Sequence, residues 1–249
     1  GDSDWSPTAT YGDDIQVQDL KLLVAALGGR RPVLIGASMG GATSLTAVGE
    51  GAVDAHALVL VDVGPVIEKS GADKVRAFME QRPEGFDTLE EVAEAIANYQ
   101  PQRKRPRNLD GLAKNVRIAP NGKYVWHWDP RRLSHTRRVM EREARLKACS
   151  RNLRLPTLLV RGGLSDVLSE EGAQSFLELG EAAAVVSVVD VSWLPETLTI
   201  PAMPMMIAST MVIRTPTLRF RRRWDWRANW SSRCLRFSFF RARLFVPMR

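Results

Sequence analysis

Pro32-Val33-Leu34-Ile35-Gly36-Ala37-Ser38-Met39-Gly40-Gly41 is the stretch on which the fold turns. Its first half is a short, unbroken apolar run, which suits a strand buried on both faces of a parallel sheet. A helix is predicted from Met39 to about Val48. The pentapeptide Gly36-Ala37-Ser38-Met39-Gly40 therefore lies where a buried strand meets a helix, the setting that a nucleophile elbow requires. Gly36 and Gly40 relieve crowding at a sharp turn that strains the serine backbone and raises its hydroxyl above the sheet. The Met39 N–H, at the helix N-terminus, would face a developing oxyanion. The same letters also suit a serine N-cap on a glycine-rich turn, or a dinucleotide loop. The loop would want G-x-G-x-x-G, which G-A-S-M-G-G does not supply.

Working outward, apolar residues from Ile15 to Leu27 recur at helical spacing until Gly28-Gly29 stops them. Residues 57–63 form a second apolar run ended by Gly64-Pro65, so strand, helix and strand make a βαβ unit. Residues 66–150 change character and read as a mostly helical insertion, with Asp87-Thr88-Leu89-Glu90 as an N-terminal capping box and a helix to about Tyr99. The strand pattern returns at 156–163, followed by a helix over Glu170–Leu179 and a strand over Ala183–Val191. The fold predicted is α/β: a mostly parallel sheet with flanking helices, in two parts (1–65 and 151–191) interrupted by a helical cap.

G-A-S-M-G-G, the opening G-D-S-D-W, the strand L-V-D-V-G-P, the insertion's W-H-W-D-P and the later L-L-V-R-G-G-L-S-D-V resemble the α/β-hydrolase superfamily, in particular its capped, bacterial esterase-like and peroxidase-like members. The resemblance covers residues 1 to about 191. It implies a serine hydrolase that transfers acyl groups from small ester-like substrates, with Ser38 as nucleophile, Met39 in the oxyanion hole and Asp166 as the acid that orients a histidine. Asp166 also suits an N-cap or Asx turn, and Asp62 is a weaker candidate for the acid. A serine at position 38 argues against the carboxylate-nucleophile chemistry of epoxide hydrolases and haloalkane dehalogenases. Nothing in the sequence signals a metal or an organic cofactor.

Triad order in this fold is serine, acid, histidine, yet no histidine follows His135. His56, His127 and His135 all precede Asp166, and each reads as structural or surface-exposed; His127 is the best substitute base, since a cap can overhang the serine. The resemblance also implies that strands before residue 1 are missing, which would leave the strand at 33–36 with an unpaired apolar edge. Impaired catalysis is the expectation for the chain as written. The alternative is a non-catalytic fragment or interaction protein with a basic tail.

That tail, residues 192–249, is unlike the rest. The net charge of +7 is carried there: residues 214–249 hold 11 Arg and a single acid, Asp225, and the remainder is slightly acidic. The last glycine is Gly180, and no period supports a helix or strand over 214–249. We expect disorder, and read the break as a reading-frame shift near Ser192. Back-translated and read in a shifted frame, Trp193–Ile200 can spell A-A-G-D-A-N-D-S, like the segment that follows the histidine in resembling hydrolases. Interleaved Arg and Trp could also hold phosphates and stacked bases, but frame-shifted GC-rich codons give the same composition, so no specific nucleic-acid partner is expected. The uncharged run 197–213 contains Pro201 and Pro204 and is at the short limit for a membrane span. Two distant cysteines and no leader-like N-terminus suggest a cytoplasmic setting.

Overall fold

The computed structural model describes residues 4–99, 101, 109–135, 139–179, 183–188 and 210–213. Along the chain the first elements are α1 (Asp13–Ala26), β1 (Val33–Ala37), α2 (Ser38–Gly49), β2 (Ala57–Val61), α3 (Lys69–Glu80) and α4 (Leu89–Tyr99). Then come β3 (Val116–Ile118), β4 (Tyr124–Trp126), α5 (Val139–Asn152), β5 (Thr157–Gly162), α6 (Glu170–Leu179), β6 (Ala183–Val188) and β7 (Thr210–Ile213).

The apolar runs become the sheet, in the order β6-β5-β2-β1-β7. β1, β2, β5 and β6 pair in parallel, as strands joined by helices must. Leu34, Leu58, Leu60 and Leu159 from three adjacent strands are fully buried, each worth about 1.5–3 kcal/mol of transfer free energy. With Val17, Leu20 and Val24 of α1, Leu45 of α2, Leu146 of α5 and Phe176 of α6 they make one core.

Two expectations need correction here. The edge of β1 is not open: Val33–Gly36 pairs antiparallel with Thr210–Ile213. The sequence 210–213, Thr-Met-Val-Ile, is uncharged and rich in β-branched residues, and so can satisfy an edge that α/β packing leaves with unpaired backbone groups. A strand thus occurs inside the tail; the Arg- and Trp-rich residues after it, and Cys234, lie outside the described residues. Second, α5 falls almost wholly within the insertion expected over 66–150, but its Leu146 and Cys149 belong to the sheet's core. α5 lies so close to α2 that a Cβ on Gly49 would fall 2.4 Å from the Cys149 Cβ.

The insertion has a core of its own, built on aromatic rings. Trp126 and Trp128 stack at 4.7 Å, and Phe78 meets Tyr99 at 4.5 Å and Trp126 at 5.3 Å. A hairpin of β3 and β4, absent from the sequence reading, presents Trp126 to this cluster. The capping box is displaced by one residue from the expected one. The Thr88 hydroxyl accepts the Glu91 N–H (3.2 Å), and the Glu91 carboxylate accepts the Asp87 N–H (2.9 Å).

Candidate active site

Ser38 is the first residue of α2, with φ +47°, in the left-handed region that a residue with a Cβ enters at a cost of roughly 1–2 kcal/mol. Its side chain is exposed at the C-terminal end of β1. What makes the turn possible is the absence of side chains around it. A Cβ on Gly36 would sit 2.5 Å from the Gly41 nitrogen, and one on Gly41 would sit 2.4 Å from Val63 Cγ1 and 2.7 Å from the Gly36 carbonyl oxygen. Gly41, which the sequence reading passed over, thus joins Gly36 at the crossing of strand and helix. The signal was the doubled glycine after Met39.

The Met39 N–H lies in the first turn of α2, where backbone donors have no acceptor within the helix. The Thr43 hydroxyl lies 3.0 Å from both the Met39 carbonyl and Gln16 Oε1. This ties the turn to α1.

Two carboxylates stand at the same end of the sheet. Ala37 pairs with Val61, so the next residue, Asp62, follows β2 beside Ser38. Asp62 is also left-handed, with φ +54°. Its Oδ1 accepts the Gly162 N–H (3.1 Å) and its Oδ2 the Ser165 hydroxyl (2.8 Å). Asp166 is one strand further on, in the loop after β5, exposed and paired with Lys74 of α3 at 2.7 Å. Gly71 lets α3 reach this loop, since a Cβ there would fall 2.0 Å from the Asp166 carbonyl oxygen. Among the described residues no hydrogen bond joins Ser38 to Asp62 or Asp166. Sequence reasoning missed Gly71 and Lys74 because their partners lie far away along the chain.

The histidines are placed elsewhere. His127 is buried in the cap, its Nδ1 3.0 Å from the Lys114 carbonyl and its ring edge-on to Trp128. The His56 N–H donates to the Pro32 carbonyl at the opposite end of β1, before the strand starts. His135 ends a 3₁₀ turn, and its side chain lies outside the described residues. Burial pushes the Cys149 thiol up to about 11, so it remains protonated and inert at neutral pH.

The N-terminal segment is fastened to the cap just past His127. Trp5 Nε1 donates to the His127 carbonyl (2.7 Å), and the Tyr11 hydroxyl donates to buried Asp129 (2.7 Å). Arg131 holds the same carboxylate through Nε and Nη2, and Nη2 also reaches the Ser6 carbonyl. These bonds from Arg131, then that from Tyr11, hold the Asp129 carboxyl below the usual carboxylate range against the opposing effect of burial. Among the described residues no cluster could hold a metal ion, and no helix is long and apolar enough to cross a membrane.

The chain is 27% identical over 207 residues to 3-hydroxybutyrate-oligomer hydrolase of Cupriavidus necator, covering 78% of this chain and 70% of that protein. Its fold is similar to that of E-2-(acetamidomethylene)succinate hydrolase, with a TM-score of 0.64 at 21% identity over 76% of this chain and 69% of the other. An alpha/beta hydrolase from Novosphingobium aromaticivorans gives 0.62 at 24% identity over 76% and 68%. A sequence model of the alpha/beta hydrolase family matches residues 1–197, which take in the Ser38 turn, the cap and the four parallel strands; the chain belongs to that family.

Proposed function

We propose that the chain is built as a serine hydrolase for ester-like substrates and that, as its sequence stands, it lacks the base for efficient turnover. The observation that carries the reading is Ser38: exposed, left-handed, and at the junction of β1 and α2. Its Oγ attacks the acyl carbon and, with no histidine to take it, gives its proton to water; the carbonyl oxygen becomes an oxyanion facing the Met39 N–H, and as the tetrahedral intermediate collapses the alcohol leaves with a proton from water. Water then releases the acid from the acyl-enzyme. Asp166 acts through the missing histidine, which it would orient and stabilise as imidazolium. The relative from C. necator is named for hydrolysing an oligomer of a hydroxy acid, whose units are joined by esters, and this agrees with an acyl-transfer substrate class.

A fluorophosphonate probe and an aryl ester test this. The expected result is slow labelling that Ser38→Ala abolishes, with little turnover, since loss of the base from a serine triad costs on the order of 10⁶ in kcat. Robust hydrolysis that Ser38→Ala abolishes would mean that another group supplies the base. Hydrolysis or labelling indifferent to Ser38→Ala would end the serine-hydrolase reading.

A further inference from the structure

We propose that Asp62 is a positioning residue: its carboxylate, bonded to the Gly162 N–H and the Ser165 hydroxyl, sets the loop that aims Asp166 toward the Ser38 end of the sheet. The proposal rests on the reading of Asp166 as the acid. Four observations converge on it. The loop from Gly163 to Ser169 carries Asp166 without regular secondary structure, so its direction depends on what ties it down. Asp62 holds it at two points, the Gly162 N–H where it leaves β5 (3.1 Å) and the Ser165 hydroxyl within it (2.8 Å), from a strand one place nearer Ser38. Ser165 passes the constraint on, because its Oγ accepts the N–H groups of Val167 (3.3 Å) and Leu168 (3.2 Å), on the far side of Asp166. Finally, Asp62 adopts φ +54°, a conformation aspartate tolerates better than most residues, and from there its side chain reaches sideways to the neighbouring loop. The Asp166 carboxylate itself is bound from the cap, by Lys74. The main chain beyond Asp166 has further ties, the Glu68 N–H to the Val167 carbonyl (3.1 Å) and Arg161 Nε to the Leu168 carbonyl (2.9 Å), so Asp62 and Ser165 set the approach to Asp166 while α3 and the residue before it hold its far side.

Asn at position 62 keeps the shape but can accept only one of the two bonds, because its amide nitrogen is a donor. Ser165→Ala removes the relay from the other side. Residues that act as one network give non-additive effects, so the double variant should lose no more than the worse single one.

The test adds imidazole as a soluble base to the full chain and measures aryl-ester hydrolysis, with Ser38→Ala as the background to subtract. Asp166→Asn, Asp62→Asn, Ser165→Ala, Asp62→Asn with Ser165→Ala, and Ser165→Thr are compared. Misaiming a group in the site lowers rate rather than affinity, so Asp62→Asn and Ser165→Ala should each lower the Ser38-dependent kcat by about tenfold with KM unchanged, and Ser165→Thr should restore it. A fall with Asp166→Asn but none with Asp62→Asn would overturn the proposal and leave the acid in place. A fall with Asp62→Asn but none with Asp166→Asn would overturn both, and make Asp62 the acid. Hydrogen exchange supplies a readout independent of turnover: Asp62→Asn should speed exchange at Val167 and Leu168 and leave Leu159 of β5 unchanged. Unaltered exchange at those two amides would overturn the proposal even where hydrolysis is too slow to follow.

Discussion

The turn at Ser38 and the cap around Trp126 are both tightly packed, but they are specified in opposite ways. At the turn, the decisive groups are missing side chains, at Gly36 and Gly41, five positions apart in a single local crossing. In the cap, the decisive groups are large side chains drawn from distant points: Phe78, Tyr99, Trp126 and Trp128 within the cluster, and Tyr11 reaching Asp129 across the whole first half of the core. A constraint made by backbone geometry is written in adjacent letters. One made by contacts between side chains is distributed over a hundred residues or more. The difference teaches where each region should fail.

The largest expected effect is at the turn. In Gly36→Ala the new methyl would meet backbone atoms of Gly40 and Gly41 at 2.5–2.6 Å, and backbone cannot swing aside as a flexible side chain can. We expect loss of folded protein, or a transition lowered by more than about 3 kcal/mol, on the scale of severe core disruption. Urea unfolding followed by circular dichroism measures it. A stable Gly36→Ala variant that still labels with fluorophosphonate would break the comparison, since the turn would then tolerate a side chain.

That contrast also explains what the sequence made legible. The four parallel strands could be read because runs such as Ala57–Val61 are apolar throughout, fully buried on one face and partly covered on the other, and leave no alternative period. The serine turn could be read because glycines flank it at fixed offsets. The hairpin β3–β4 could not, since each strand is three residues long and is held by distant partners: Trp126 packs on Phe78 and Phe86, and Tyr124 exchanges backbone hydrogen bonds with Phe86. Nor could α5 be placed, because Leu146 and Cys149 look alike whether they face the cap or the sheet. The pairing of 210–213 with β1 is a non-local contact, and no local pattern announced it. In the site, Ser38 and Asp166 come from motifs, whereas Gly71 and Lys74 become visible only when α3 is laid against the Asp166 loop.

An intermediate effect is expected at Asp129, which sharpens the comparison through pH. Its folded carboxyl titrates below its unfolded value, chiefly because Arg131 and then Tyr11 bond its charged form. The stability it contributes is therefore full above the unfolded carboxylate value of about 3.9 and is lost as pH falls through the depressed folded value. Asp129→Asn should cost about 2 kcal/mol at neutral pH, as expected for loss of hydrogen bonds to a buried charge. The gap between variant and parent should close in acid. Denaturant curves at several pH values, read by tryptophan fluorescence, check this. A gap that stays constant down to the lowest pH would mean that shape, not charge, holds the N-terminal segment to the cap.

The smallest effect lies in a locally written feature of the cap, the start of α4. Thr88 is the N-cap: its hydroxyl accepts the Glu91 N–H while the Glu91 carboxylate returns to the Asp87 N–H. Thr88→Ala should then cost about 1 kcal/mol, and Thr88→Ser almost nothing. Asp87→Ala should cost less than Thr88→Ala, because the Asp87 side chain is engaged in a surface pair with Lys123 at 3.1 Å, and such pairs contribute about 0–1 kcal/mol. The order of the two alanine variants decides between boxes displaced by a single residue. Were Asp87→Ala the costlier change, the cap would begin one residue earlier than its hydrogen bonds indicate, and the Glu91 carboxylate would have to find its partner elsewhere.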